Sequence, residues 1–178
     1  VIVIEGEPIG KGRPRVSSRS GTIYTPRKTH AYEDALRFAG KLAKERCGDS
    51  PVIAVVTAFS EVPSSWSKKK KALALTGLVQ KETKPDIDNV IKSALDGLQP
   101  VCFTDDKQIV AVVGLKAYAE KPRLEVELYV ISEEDETLKA QSGDLVFRAK
   151  DLRGLISRVI GGVSDGFDRE GLADSKTA

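Results

Sequence analysis

Apolar residues recur at helical or strand spacing over most of the first 131 residues of this 178-residue chain. Val1 to Ile4 is a short apolar run, readable as a buried strand. Thr25-Pro26 makes a helix start, with Thr25 at the N-cap and Pro26 at the first helical position. Tyr32, Ala35, Leu36, Ala39, Leu42 and Ala43 then predict a core-facing stripe on a long helix that stops near Gly48. Val52 to Phe59 is a β-branched run that predicts a central strand. Ser67 is placed to cap a short helix opening on Lys68 to Lys71, and Trp66 beside it is expected to pack in the core. Pro85 excludes a helix before it, and Asp88 is the expected N-cap of a helix over Asn89 to Leu98. Val90, Ile91, Ala94, Leu95 and Leu98 share one arc of that helix, and Asp88, Lys92 and Asp96 lie on the other side. Ile109 to Tyr118 is nearly all apolar, as in a strand covered on both faces. Leu124, Val126, Leu128 and Val130 alternate with Arg123, Glu125, Glu127 and Tyr129 at period two. These last two segments predict an antiparallel hairpin turning at Ala119 to Pro122.

The pattern changes at Ser132, where Glu133-Glu134-Asp135-Glu136 opens a polar, glycine-rich stretch. Leu152, Leu155, Ile156, Val159 and Ile160 suggest one short helix within it. The reading is therefore a single α+β domain over residues 1–131, a small mixed β-sheet with flanking helices. Residues 132–178 form an extension expected to patch onto the core or onto a second subunit.

Charge sharpens this division. The chain is +2, but residues 132–178 carry ten acidic and seven basic side chains, so the first 131 residues are +5. That favours a polyanionic partner. Two cysteines, Cys47 and Cys102, with no Cys-x-x-Cys and a single histidine, His30, argue against zinc and against a histidine triad. No apolar run is long enough to span a membrane and no signal-peptide pattern appears, so a cytosolic setting is the default expectation.

The candidate chemistry lies in Lys84-Pro85-Asp86-Ile87-Asp88-Asn89 and in Asp105-Asp106. A short reversal after the helix would bring the second acidic pair back beside Asp86 and Asp88. Clustered carboxylates repel unless a hard cation sits among them, and oxygen-only ligands suit Mg²⁺ or Mn²⁺. Taken singly, the acids also read as a cap and an Asp-rich turn. Lys11, Arg13, Arg15 and Arg19 ride on a loop where glycine and proline exclude regular structure, and charge alone fits either a solvated loop or a phosphate-gripping arm. The same two readings apply to Lys68 and Lys69, whose place in a helix's first turn opposes the dipole.

Gly-Lys-Gly-Arg-Pro-Arg, Tyr-Thr-Pro, Lys-Pro-Asp-Ile-Asp-Asn with Lys92 following, and Thr-Asp-Asp-Lys-Gln-Ile-Val occur in that order. Together they resemble the RusA family of Holliday junction resolvases over roughly Val1 to Ile131. The resemblance implies a homodimer of small mixed α/β subunits that binds four-way DNA junctions and cuts two opposing strands with Mg²⁺, with no small-molecule cofactor. It implies that Asp86, Asp88 and Asp106 are catalytic acids holding the metal, and that Lys92 is the essential lysine. It also places Arg13 and Arg15 among DNA contacts. Two rivals stand beside it. One is a junction-binding protein without catalysis. The other is a restriction-type nuclease, because Pro85-Asp86 and Asp105-Asp106-Lys107 imitate a Pro-Asp…Asp-x-Lys core, which needs its Asp-x-Lys inside a strand.

Overall fold

The computed structural model describes residues 1–131, except the Arg15 side chain, and the backbone of two further strands at 137–140 and 146–148. The elements run β1 (Ile2–Glu5), β2 (Arg15–Val16), β3 (Ile23–Tyr24), α1 (Arg27–Ala43), β4 (Val52–Glu61), α2 (Lys68–Leu75), α3 (Ile87–Leu98), β5 (Ile109–Ala119), β6 (Arg123–Ile131), β7 (Thr137–Ala140) and β8 (Val146–Arg148). A 3-10 turn, Asp106–Gln108, leads into β5. The helix suggested around Leu152 to Ile160 lies outside the described residues.

Six strands form one mixed sheet in the order β5-β4-β6-β7-β8. β1 joins β6 at Arg123 to Val126 and β7 joins it at Tyr129 to Ile131, so the two short strands share one side of β6. Strand β4 is the spine: its residues from Val52 to Ala58 are all buried. It pairs parallel with β5 and antiparallel with β6. The hairpin expected between β5 and β6 is therefore wrong. A strand as apolar on both faces as β4 gains most from the central slot, and it takes that slot by separating the two sequence neighbours. Strand β5, expected to be covered on both faces, leaves one face open in its first half, where Val110 is 57% exposed and Val112 39%, and it lies at the edge of the sheet among the described residues. The leading strand β1 buries only Ile2 and Ile4, with Val1 and Val3 facing out.

Helices α1 and α3 cover one face of the sheet. Leu36, Val90, Ala94 and Leu98 meet Ile2, Val52, Ala54, Val56, Leu124 and Val126 in the main core. Ile53, Val55 and Tyr129 form a smaller cluster with Ala111 and Val113. α1 begins one residue later than expected, with Pro26 at the cap position and no side-chain cap. It ends at Ala43 rather than near Gly48, through Lys44 in the left-handed region at φ 56°. Its inward face is Thr29, Tyr32, Glu33, Leu36 and Gly40, while Leu42 is 66% exposed. Tyr32, Leu36 and Ala39 of the expected stripe face the core, but Ala35, Leu42 and Ala43 are exposed, and Thr29, Glu33 and Gly40 turn inward with them, Glu33 in the ion pair described below. Ser67 does cap α2, accepting from the Lys70 amide at 3.3 Å. Trp66 is only half-buried, edge-on to Tyr118 at 5.2 Å between ring centroids and 3.9 Å from the Lys70 ammonium. Among the described residues no helix is long and apolar enough to cross a membrane.

Candidate active site

Helix α3 starts at Ile87, two residues before the expected position, so Asp86 rather than Asp88 occupies the N-cap. The Asp86 side chain makes no capping bond, and Asp88 sits exposed in the first turn. Both carboxylates therefore face outward at the helix end where unpaired N–H groups favour negative charge. Lys92, one turn beyond Asp88, is exposed on the same helix.

The glycine-rich loop before β2 is pressed against this helix end. The Lys11 amide donates to the Asn89 carbonyl at 2.7 Å. A Cβ on Gly10 would lie 3.0 Å from the Asn89 Cβ, and one on Gly12 would lie 2.8 Å from the Thr29 hydroxyl. The glycines thus let a backbone approach both α1 and α3. The Lys11 ammonium points inward, paired with Glu33 and, at 2.8 Å, with Asp96. Burial alone would lower its pKa, but the hydrogen bonds it donates to Asp96 and Glu33 more than offset this and raise it. Lys11 therefore ties the loop to both helices, and its charge is already matched inside the protein.

Between the loop and the start of α3 lies an open cleft of about 760 Å³. Asp86 stands on its wall together with Arg13, Lys28 and Lys84, all exposed. Lys28 and Lys84 were not singled out from the sequence, although Lys84 directly precedes the Pro85-Asp86 pair. Beyond the cleft, the segment expected to be irregular forms a small hairpin. Arg15 pairs with Tyr24 and Val16 with Ile23, and Arg19 is exposed in its turn. Lys68 and Lys69 are exposed at the start of α2.

The second acidic pair is elsewhere. Asp105 caps the 3-10 turn, accepting from the Lys107 amide at 3.0 Å and lying 3.1 Å from the Lys107 ammonium. The backbone bond first, and the Lys107 side chain next, hold its carboxyl below the usual range. Gln108 fixes the turn from inside: its Oε1 accepts the Thr104 and Asp105 amides, and its Nε2 donates to the Gly48 and Ser50 carbonyls. Asp106 begins this turn and is exposed. The Gln99 side chain donates to the Thr104 carbonyl at 3.3 Å, which places the turn near the C-terminal end of α3. The opposite end of α3 lies over Gly114, where a Cβ would fall 2.6 Å from Ile91 and 2.9 Å from Ile87. Gly114 and Ile109 are five residues apart along β5, roughly 16 Å. The reversal thus returns the chain only to the far end of the helix, and one chain does not bring Asp106 beside Asp86 and Asp88. Among the described residues no group of three or more His, Cys, Asp or Glu gathers as a metal site. Magnesium is commonly held by one or two carboxylates together with waters and substrate phosphate oxygens, so Asp86 and Asp88 fit such an ion, whereas a three-acid cage does not form within one chain.

A single α+β sheet domain, with outward acids and a lysine at a helix end beside a cation-walled cleft, has the build of a polyanion-acting protein. Over residues 5–129 the chain matches the family described as Endodeoxyribonuclease RusA. It belongs to the RusA endodeoxyribonuclease family. It is also 36% identical to the "Uncharacterized protein YqaN" of Bacillus subtilis (strain 168) over 134 residues, 72% of this chain and 94% of that protein.

Proposed function

We propose that this protein is a divalent-metal-dependent, structure-specific endodeoxyribonuclease that resolves four-way DNA junctions as a homodimer. The family match over residues 5–129 carries the reading. Three features of the site support it. The acids Asp86 and Asp88 are exposed rather than consumed by capping or core packing. Lys92 lies one helical turn away, and the cleft beside Asp86 presents three exposed cations suited to phosphate oxygens.

In this reading Asp86 and Asp88 would hold Mg²⁺ or Mn²⁺, which would supply an activated water and charge neutralisation at the phosphodiester. Arg13, Lys28 and Lys84 hold the DNA backbone along the cleft, Arg19, Lys68 and Lys69 extend the basic surface, and Arg15 is a further DNA contact that the family resemblance implies. Lys92 sets a fixed positive charge near the scissile phosphate. Asp86 and Asp88 offer carboxylate oxygens at the cleft mouth, and Asp106 is the third acid. Lys11, paired internally, holds the loop instead of touching DNA. The restriction-type alternative is disfavoured because Asp105-Asp106-Lys107 forms a 3-10 turn and not a strand.

The test is a labelled four-way junction incubated with protein in Mg²⁺ and, separately, in EDTA. Paired cutting in Mg²⁺ alone is expected, and Asp88→Asn should retain junction binding while losing cutting. Binding without cutting by the native protein would make it a junction binder; cutting by Asp88→Asn would remove that acid from the site.

A further inference from the structure

Helix α2 and the loop after it carry an aromatic pair and a set of cations that the acid site does not use. Trp66 packs edge-on against the buried ring of Tyr118, with 63° between the planes, and is itself only half-buried. An edge contact fixes a ring and leaves it without a stacked partner. Among the described residues no ring stacks on the indole; the exposed Lys70 ammonium stands over it at 3.9 Å. Trp66, Lys70 and Tyr118 line a pocket of about 440 Å³ together with Thr83 and with Leu78, which is 55% exposed. That is the scale of a small-ligand site, with aromatic, apolar and cationic walls.

Charge says what enters. Six lysines and one acid, Glu82, lie between Trp66 and Lys84 inclusive. Lys116 and Lys81 both donate to the Thr83 carbonyl, at 2.8 and 3.5 Å. Among the described residues neither of them, nor Lys70, forms an ion pair with a carboxylate. Burial first, and then the Lys116 charge, push the Lys81 pKa down. Two ammonium groups drawn onto one oxygen, with no carboxylate in contact, are relieved by an anion.

We propose that this pocket binds an unpaired nucleotide of a DNA strand, with the base stacked on Trp66 and its phosphate held by Lys70. This rests on the nuclease reading for the identity of the strand. Stacking of a base on an aromatic ring outweighs an exposed cation over the same ring. The base therefore takes the place of the Lys70 ammonium, whose flexible stem turns it to the phosphate. Leu78 gives the base an apolar wall. A duplex hides its ring faces in its own stack, so the pocket selects strand that has left the helix. Thr83 and Asp86 are separated by at most about 11 Å of chain. The pocket thus stands within a few nucleotides of the acids, where a branched DNA parts its strands.

Trp66 is the sole tryptophan, so its fluorescence reads the contact directly. In EDTA, oligothymidylate and a four-way junction should each quench the emission by roughly half, and a blunt duplex should leave it nearly unchanged. Trp66→Ala should weaken oligothymidylate binding about tenfold by anisotropy of a labelled strand, and Trp66→Phe should restore most of it. Equal urea midpoints separate lost stacking from lost folding. Where Trp66→Ala shifts the midpoint, Lys70→Met at its exposed position decides instead, by lowering the single-strand salt slope by about 0.7. Strand binding without quenching, equal quenching by the duplex, or unchanged affinity and slope in the variants overturns the subsite. Quenching by free dTMP as strong as by the strand at equal concentration makes the ligand a mononucleotide and overturns the DNA assignment. A junction that quenches but is not cut in Mg²⁺ ends the nuclease reading and leaves the subsite standing; one that is cut without quenching does the reverse.

Discussion

Gly114 on β5 lies directly beneath Ile91 on α3, so close that a Cβ there would sit 2.6 Å from the Ile91 Cδ1. That contact sets the height of the α3 N-terminus above the sheet and hence the position of Asp86 and Asp88. Gly114→Val forces the helix end away. We expect a loss of roughly 1–3 kcal/mol in urea unfolding, as for other overpacked cores. Junction cutting should fall more steeply than junction binding. Equal losses in both would mean that the helix end does not position the acids.

The Lys11 pair offers a thermodynamic test. Glu33 is 7% exposed, and Lys11→Met leaves its carboxylate without a cation, a cost of about 2 kcal/mol. Glu33→Gln in the same chain should recover part of that loss, so the double-mutant cycle should show coupling. The folded ammonium has a raised pKa, so its contribution is fully present below the ordinary lysine value and is lost as pH rises through the folded one. The stability difference between native protein and Lys11→Met should therefore be constant from pH 7 to about 9 and shrink above about 10.5.

The cleft wall makes a salt prediction. Each phosphate contact contributes about 0.9 to the slope of log affinity against log salt. Removing Arg13, Lys28 and Lys84 together should lower that slope by nearly 3. A slope unchanged in the triple alanine variant would mean that DNA does not run through the cleft.

Lys107 is 80% exposed and paired with Asp105 in the turn. On the RusA reading Lys107→Ala keeps its cutting rate within about twofold, since surface pairs of this kind contribute little. A loss of several hundredfold would revive the restriction-type assignment.

The two cysteines are chemically quiet. Burial first, then the neighbouring charges, pushes the Cys47 thiol up to about 12, and burial pushes Cys102 to about 11. At pH 8 the folded protein should show no fast-reacting thiol, and two should appear in denaturant. A rapid native reaction would place one of them at the surface.

The sequence made β4 legible because its β-branched run has a single physical meaning, burial on both faces. The existence of α1 and α3 was legible for the same reason, since their periodicity is strong. The inward turn of Glu33 was not, because its partner Lys11 lies 22 residues away in the chain and nothing local signals the pair. Strand order failed similarly: adjacency in sequence favours a hairpin, and only the core shows that β4 separates β5 from β6. Motif spacing identified Asp86, Asp88 and Asp106 as candidates but did not carry their separation. A twelve-residue helix spans about 18 Å, and the turn after it does not retrace that length. The role of Gln108 escaped notice because its four partners belong to two loops brought together only by folding.

Strand order also bears on synthesis. Both early strands of the main sheet, β1 and β4, find their partners only in β5 and β6. A nascent chain emerging from the ribosome through Leu98 holds three helices but only two strands of the main sheet, β1 and β4. The apolar run from Val52 to Phe59 lacks both of its sheet partners until β5 and β6 have been made, the interval in which an unpaired strand is most exposed to aggregation.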